Sequence, residues 1–152
     1  MKTSFCILTL ILLFSCSYIK MNKAPISFEL RFAKTDPDSN FKEMNLYNSD
    51  LKFFVHDSVF LTNNDILSAE VIEWQKRPNV RVFLNEKGRK KFADFTLKYV
   101  GKNAAMIVDN KLVSAPRINA QVTKGILIIA GFFNQEDAKK IAEGISPKNQ
   151  IG

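Results

Sequence analysis

The chain has 152 residues, 46% of them hydrophobic and 24% charged, an ordinary globular composition at a length that suits one domain. Its two cysteines, Cys6 and Cys16, both lie near the N-terminus, so the body has no thiol for a disulfide framework, a zinc site or a nucleophile. A formal net charge of +7 favours anionic partners, and 13 Phe against 1 Trp and 3 Tyr predict a core built on phenylalanine.

Lys2 opens a short basic start, and residues 5–14 form an apolar run broken by Thr9. That run is about half the roughly 20 residues that cross a bilayer. Charge, a short greasy segment and a small residue at the break read as a cleavable secretory signal. Leu13, Ser15 and Cys16 resemble the bacterial lipobox, with Phe14 bulkier than the commonest residue at its position. The resemblance implies cleavage after Ser15 and acylation of the Cys16 thiol. Each buried methylene of an acyl chain contributes about 0.8 kcal/mol, so more than one chain gives stable anchoring. Ser17, where an Asp would signal retention, implies an outer-membrane lipoprotein facing the periplasm of a bacterial envelope. The expected organisation is a signal peptide at 1–15, a lipidated tether at 16–25, a domain at 26–147 and a tail at 148–152. Residues 17–24 of the tether, fully extended, reach only about 25 Å at roughly 3.3 Å per residue.

Alternation of apolar and polar residues predicts a half-buried strand at 26–32. Asp36, Pro37, Asp38, Ser39 and Asn40 are turn chemistry. Short strands are predicted at 51–55 and 59–61, then a brief helical turn capped by residues 63–65 and running through Ile66 and Leu67, then a strand at 69–74. Arg77, Pro78 and Asn79 read as a break before a buried strand at 80–84. Asn85 is placed to cap a helix at 86–100, whose Phe92, Phe95, Thr96, Tyr99 and Val100 share a face, and Gly101 stands at its end. A hairpin follows, 104–108 and 111–114 about Asp109 and Asn110, with Pro116 at an edge or bend. Strands at 118–122 and 126–130 flank a turn at Lys124 and Gly125. Asn134 opens a last helix carrying Ala138, Ile141, Ala142 and Ile145 on one side, ended by Gly144 and Pro147.

These elements carry a family resemblance. Residues 82–92, a strand running into a helix through Asn85, Glu86 and Gly88, resemble that segment in the head of SecD's first large periplasmic region. Residues 101–116 continue it: Gly101 and Lys102, an apolar strand, a short turn, then Ser114, Ala115 and Pro116. Gly125, Gly131 and Phe132 resemble the family's glycine-spaced strand, and 134–145 its closing helix. The strong match covers 80–145, with a looser one back to Ile26. The resemblance implies an α+β fold, an antiparallel or mixed sheet with two main helices packed on it. It also implies a non-enzymatic head able to touch extended polypeptide and a link to protein export. Asn110 stands where the family has glycine, and Arg117 where it has an apolar residue. No apolar run of membrane length follows the leader, so transport and energy coupling are not expected to come with the head.

Chemistry-bearing residues are sparse. His56 is the only histidine, and neighbouring Asp57 supplies neither nucleophile nor metal partner, so no catalytic residues, metal or cofactor are assigned. Asp36, Asp38 and Asn40 lack the later glycine and closing Glu of a calcium loop. Gly125 and Gly131 bracket a strand rather than precede a helix, which rules against a phosphate cradle; with Gly101 and Pro116 they are read as structural turns. Lys87, Arg89, Lys90 and Lys91 crowd the first turns of a helix, where the macrodipole disfavours cations, and are candidates for contact with an anionic lipid or polypeptide surface. Basic residues without interleaved aromatics argue against nucleic acid, and no small-molecule substrate is evident. Arg117, Asn119 and Gln121 alternate as outward positions in 111–122 and are the candidate polypeptide-binding residues, through strand addition beside Pro116. The partners expected are therefore membrane lipid, through Cys16, and a protein or unfolded polypeptide. A scaffolding subunit of a membrane complex is the rival reading, and an enzyme a distant third.

Overall fold

A computed structural model describes residues 26–147. The expected signal, Cys16, the tether and the tail lie outside them. Along the chain come β1 (Phe28–Lys34), β2 (Lys42–Asn45), β3 (Lys52–Thr62), a 3-10 turn (Asn63–Asp65), β4 (Ile66–Trp74), β5 (Arg77–Leu84) and α1 (Glu86–Lys98). β6 (Asn103–Val108), β7 (Lys111–Ser114), β8 (Ile126–Ile129) and α2 (Gln135–Ile145) complete it. The fold is α+β, as expected, but its strands make two antiparallel sheets rather than one: β2-β3-β1-β6-β7 and β4-β5-β8.

The five-stranded sheet curls until its ends meet. Leu46, just beyond β2, forms a parallel bridge with Leu112 of β7, and the Tyr47 amide donates to the Leu112 carbonyl at 2.8 Å. Inside the curl lies a small core of Ala33, Phe53, Val55, Ala105, Ile107 and Leu112. The larger core sits between the two sheets and the helices and includes Phe28, Leu61, Val80, Val82, Phe92, Phe95, Ile129 and Ile141. Phenylalanine contributes less than composition predicts. Phe28, Phe53, Phe92, Phe95 and Phe133 are buried, but Phe32, Phe41 and Phe60 are half-buried, and aliphatic side chains fill most of the interior.

Several local expectations change. β3 is one strand, because Arg31 of β1 reaches into its polar stretch and donates from Nη1 to the carbonyls of His56 (3.5 Å) and Asp57 (3.0 Å) across a bulged register. β2 was not anticipated; it is mostly exposed and carries only Met44 inward. The break falls at Gln75 and Lys76, both in the left-handed region, and residues 77–79 belong to β5. Pro78 is tolerated because it lies beyond Val80, the last β5 residue paired with β8, so its missing N–H removes nothing from that ladder. Residues 118–122 form no strand, and Ile118, which was to begin one, is held instead by Lys102 and Gly101: its amide donates to the Lys102 carbonyl (2.8 Å) and its carbonyl accepts from Gly101 (2.7 Å).

The helix starts follow their caps. Asn85 accepts from the Gly88 amide and Asn134 from the Asp137 amide, both at 2.9 Å. α1 stops at Lys98, two residues short of expectation, and Gly101 follows with φ +82°. Gly144 does not end α2. It lies within it, where an added Cβ would meet Ile26 at 2.5 Å, and Ser146 is the C-cap.

The corner between the sheets is built on Asp65, 1% exposed. Thr62, rather than an Asn, is the N-cap there: its hydroxyl accepts from the Asn64 amide (3.3 Å) while the Asp65 carboxylate accepts from the Thr62 amide (3.0 Å). The same carboxylate takes both contacts of Lys91 Nζ, at 2.8 and 2.9 Å. α1 sits so close to this corner that a Cβ on Gly88 would come within 2.3 Å of the Asp65 carbonyl oxygen, so only glycine fits.

Candidate functional site

An apolar groove of about 460 Å³ runs between β8 and residues 114–122. Phe92 and Thr96 of α1, Ala104 and Met106 of β6, and Leu127 of β8 are among the residues lining it. Ile118 and Val122 line the facing wall, and Trp74, 55% exposed, lines it from the end of β4. Polarity along that wall is held in place from α1: the Thr96 hydroxyl accepts from the Val122 amide at 2.9 Å, and Gln121 Nε2 donates to the Ala93 carbonyl at 3.3 Å.

One side of the groove is a bare strand edge. β8 ends the order β4-β5-β8, and the Leu84 amide donates to the Gly125 carbonyl at 2.9 Å. Antiparallel pairs alternate between bonded and non-bonded, so from that pair onward Leu127 and Ile129 bond to β5 while the backbone groups of Ile126 and Ile128 point away from it, towards the groove. No strand among the described residues pairs with them.

The sequence candidates fall around this groove, though not in the role of an edge. Arg117 and Asn119 line it, and Gln121 is exposed on the same wall. The segment expected as an edge beside Pro116 is paired on its inner side by β6, and its outer side is met at Leu112. Leu112 is bonded by Tyr47, while Asn103 bridges Arg117 and the Ala104 amide donates to the Pro116 carbonyl at 2.9 Å. Residues 114–118 thus extend the β6–β7 hairpin, and the free edge lies opposite, on β8. Sequence reasoning missed it because the apolar residues 126–129 read as a buried strand, and only the sheet order shows which side lacks a neighbour. Gly125 adopts φ +69° in the turn before β8, and Gly131 lies where a Cβ would strike the Phe133 ring at 2.2 Å.

The basic cluster divides. Lys91 is committed to Asp65, and Lys90 pairs with Glu86 at 3.1 Å. Lys87 and Arg89 are exposed and form no ion pair among the described residues. The Arg89 stem lies on Gly125, where an added Cβ would come within 2.9 Å of its Cγ.

The remaining candidates carry no reactive geometry. The Ser58 amide donates to His56 Nδ1 at 3.0 Å, and the ring packs on Phe41 with centroids 5.1 Å apart, within an aromatic group that continues through Phe32 to Tyr99. In the suspected calcium loop, Asp38 accepts from Lys34 Nζ at 2.5 Å and from the Asn40 amide at 2.9 Å. The bond from Lys34, then that from Asn40, hold the Asp38 carboxyl below its ordinary pKa. Its oxygens are thereby engaged within the turn. Among the described residues, no three His, Cys, Asp or Glu side chains gather as a metal site would need, and no helix is long and apolar enough to cross a membrane.

Comparison with known proteins agrees with this architecture. The SecDF P1 head subdomain, as a family, matches residues 39–146. The chain is 40% identical over 83 residues to a protein translocase subunit SecD of Dictyoglomus turgidum, covering 54% of this chain and 21% of that one. With the SecDF subunit of Thermus thermophilus it shares 34% over 83 residues, 54% of this chain and 11% of the other. It thus spans about a fifth or less of these relatives' length. Two solved structures share the fold. One, described as a membrane component SecDF that enhances protein export, has a TM-score of 0.65 at 22% identity over 80% of this chain and 62% of its own. The other, SecDF in a super-membrane-facing form, has a TM-score of 0.64 at 24% identity over 78% of this chain and 18% of its own. With the matched residues running from the turn before β2 to the cap of α2, the chain belongs to the SecDF P1 head subdomain family.

Proposed function

We propose that this chain is a non-enzymatic polypeptide-binding module of the bacterial envelope, working in protein export. Its ligand is an extended segment that adds to the edge of β8, with its side chains in the apolar groove. The observation that carries this is the open edge at Ile126 and Ile128 beside a groove lined by Phe92, Met106, Ile118 and Leu127. Main-chain bonds supply affinity without demanding a fixed sequence, and the apolar floor takes alternate side chains, which suits a protein that handles many clients. Arg117, Asn119 and Gln121 stand on the opposite wall. The translocase subunits among its relatives support export as the setting.

The module is held at the membrane by acylated Cys16, in the outer membrane and facing the periplasm. Support for this is the leader with Leu13, Ser15 and Cys16, together with Ser17 after the cysteine. The mass of the mature N-terminus tests the anchor: a diacylated Cys16 is expected, and an unmodified or uncleaved terminus refutes it.

Binding is tested by titrating the isotope-labelled protein with an extended apolar peptide and following backbone amide resonances. The Ile126 and Ile128 amides should shift and become protected from exchange. Shifts centred on β7, or on β2, would move the site elsewhere and refute the reading.

A further inference from the structure

We infer that the groove selects apolar segments bordered by acidic side chains, an inference that rests on the polypeptide-binding reading and names the class of segment that fits. The first observation is the charge of the lining. Arg117 is the one charged residue among those that line the groove, and no carboxylate joins it. Arg117 is exposed and forms no ion pair among the described residues.

The second is what stands at the groove's ends. Where β8 begins, the Arg89 stem is pressed against Gly125, and Lys124 precedes it in the same turn, exposed. Beyond the other end of β8, the Arg77 guanidinium lies 5.7 Å from the centroid of the exposed Phe132 ring, beside Trp74. Three of the acids on the elements around the groove are engaged with other cations: Glu86 with Lys90, Asp65 with Lys91, and Glu70 with Arg81 at 2.9 Å. Asp94 and Glu73 are exposed and do not line the groove.

Those cations are spaced for a short strand. β8 has four residues, so a partner strand of that length spans about 13 Å at roughly 3.3 Å per residue and puts its flanking side chains near Arg89 and Lys124 at one end and Arg77 at the other. An acidic flank there meets cations that form no ion pair among the described residues, while a lysine flank meets a like charge at both ends. The apolar centre supplies affinity and the flanks supply discrimination, since charge complementarity mainly suppresses wrong partners.

The test uses the full chain and three fluorescent peptides that share one alternating Val/Thr centre and differ only in their flanks: Asp pairs, Ser pairs or Lys pairs. Fluorescence anisotropy at low salt should rank them Asp, Ser, Lys, with about a tenfold gap between the extremes. The gap should shrink towards twofold at about 0.5 M salt, where screening is strong. R89E combined with R117E should close most of the gap, since Lys124 and Arg77 remain at the ends. Both side chains are exposed, and the salt series on the unaltered protein gives the same answer if the variant misbehaves. Equal binding of the three peptides, or a preference that ignores both salt and charge reversal, overturns the inference and leaves the groove standing. Failure of all three to bind overturns the groove reading, and the inference with it.

Discussion

β4 and β8 are the two edges of one three-stranded sheet, and the molecule finishes them differently. At β4, Ser146 at the end of α2 turns its hydroxyl onto the outward backbone of Ala69, accepting from the amide at 3.0 Å and reaching the carbonyl at 3.4 Å. The five-stranded sheet is likewise closed, by Tyr47 against Leu112. β8 has no such cover, although four consecutive apolar residues at an open edge are the pattern that natural sheets avoid. Groove wall 114–122 stands off it across a groove of about 460 Å³. An edge left open along its length, where the others are met at Ala69 and Leu112, is where a passing chain can add.

A pair of proline substitutions on adjacent residues tests that comparison most severely. Leu127 is buried and bonds to β5, so L127P should cost about 3 kcal/mol or more and lower the urea midpoint sharply. Ile128 turns its amide to the groove, so I128P should cost only about 1 kcal/mol yet weaken peptide binding at least tenfold by removing a donor. Similar stability losses for the two variants would mean that β8 is not open on that side.

Next in size is the corner where the chain leaves one sheet for the other. D65A strips the turn of its cap contact and frees Lys91, whose side chain is 41% exposed and can turn to water. A loss of about 2 kcal/mol is expected, read from denaturant melts, because the damage is mainly to the Thr62 backbone donor, left unpaired in a half-buried turn. K91M should cost clearly less. Equal costs would put the stabilisation in the ion pair instead.

How far the sequence reveals all this depends on how local each signal is. Both helices are legible because Asn85 and Asn134 stand at their caps and the apolar residues recur on one face. β2 is not, since a strand that buries little has no alternation to read, and His56, Asp57 and Ser58 interrupt the pattern of a β3 that Arg31 holds together from the neighbouring strand. Arg117, Asn119 and Gln121 are exposed, but Ala120 between them is exposed as well and 118–122 form no strand, so alternation is not what orients them. That they belong to the wall and β8 to the edge is a property of strand order, which rests on contacts between residues far apart in the chain. Lys91 illustrates the same limit. In sequence it is one cation in a basic cluster; in space it is the partner of a carboxylate 26 residues away.

Ser146 offers a milder test of the covered edge. S146A removes the hydroxyl that serves Ala69 and also donates to the Ala142 carbonyl at 2.7 Å, so about 1 kcal/mol should be lost. Hydrogen exchange should speed up most at Ala69, whose amide loses its acceptor. If global stability falls with no selective change at Ala69, the hydroxyl matters as a helix cap rather than as an edge cover.

The smallest effect concerns the closed sheet, through the loop that carries the chain from β1 to β2. Lys34 sits 4.6 Å from the centroid of Phe41 and bonds Asp38, which also accepts from Asn40, so the loop is folded onto itself before β2 begins. The bond from Lys34 and then that from Asn40 lower the Asp38 pKa below 3.8 in the folded protein. A depressed carboxyl contributes stability that is present above its unfolded value and lost as pH falls through its folded one. Acidification below the ordinary carboxylate range should therefore loosen this loop, and D38N should remove that part of the pH dependence while leaving the groove's affinity for peptide unchanged. Following the Asp38 carboxyl by NMR gives the direction: a titration at or above the ordinary value would mean that the Lys34 contact does not persist in solution, and that β2 is held in place by its ladder with β3, by Met44 and by the Leu46 bridge.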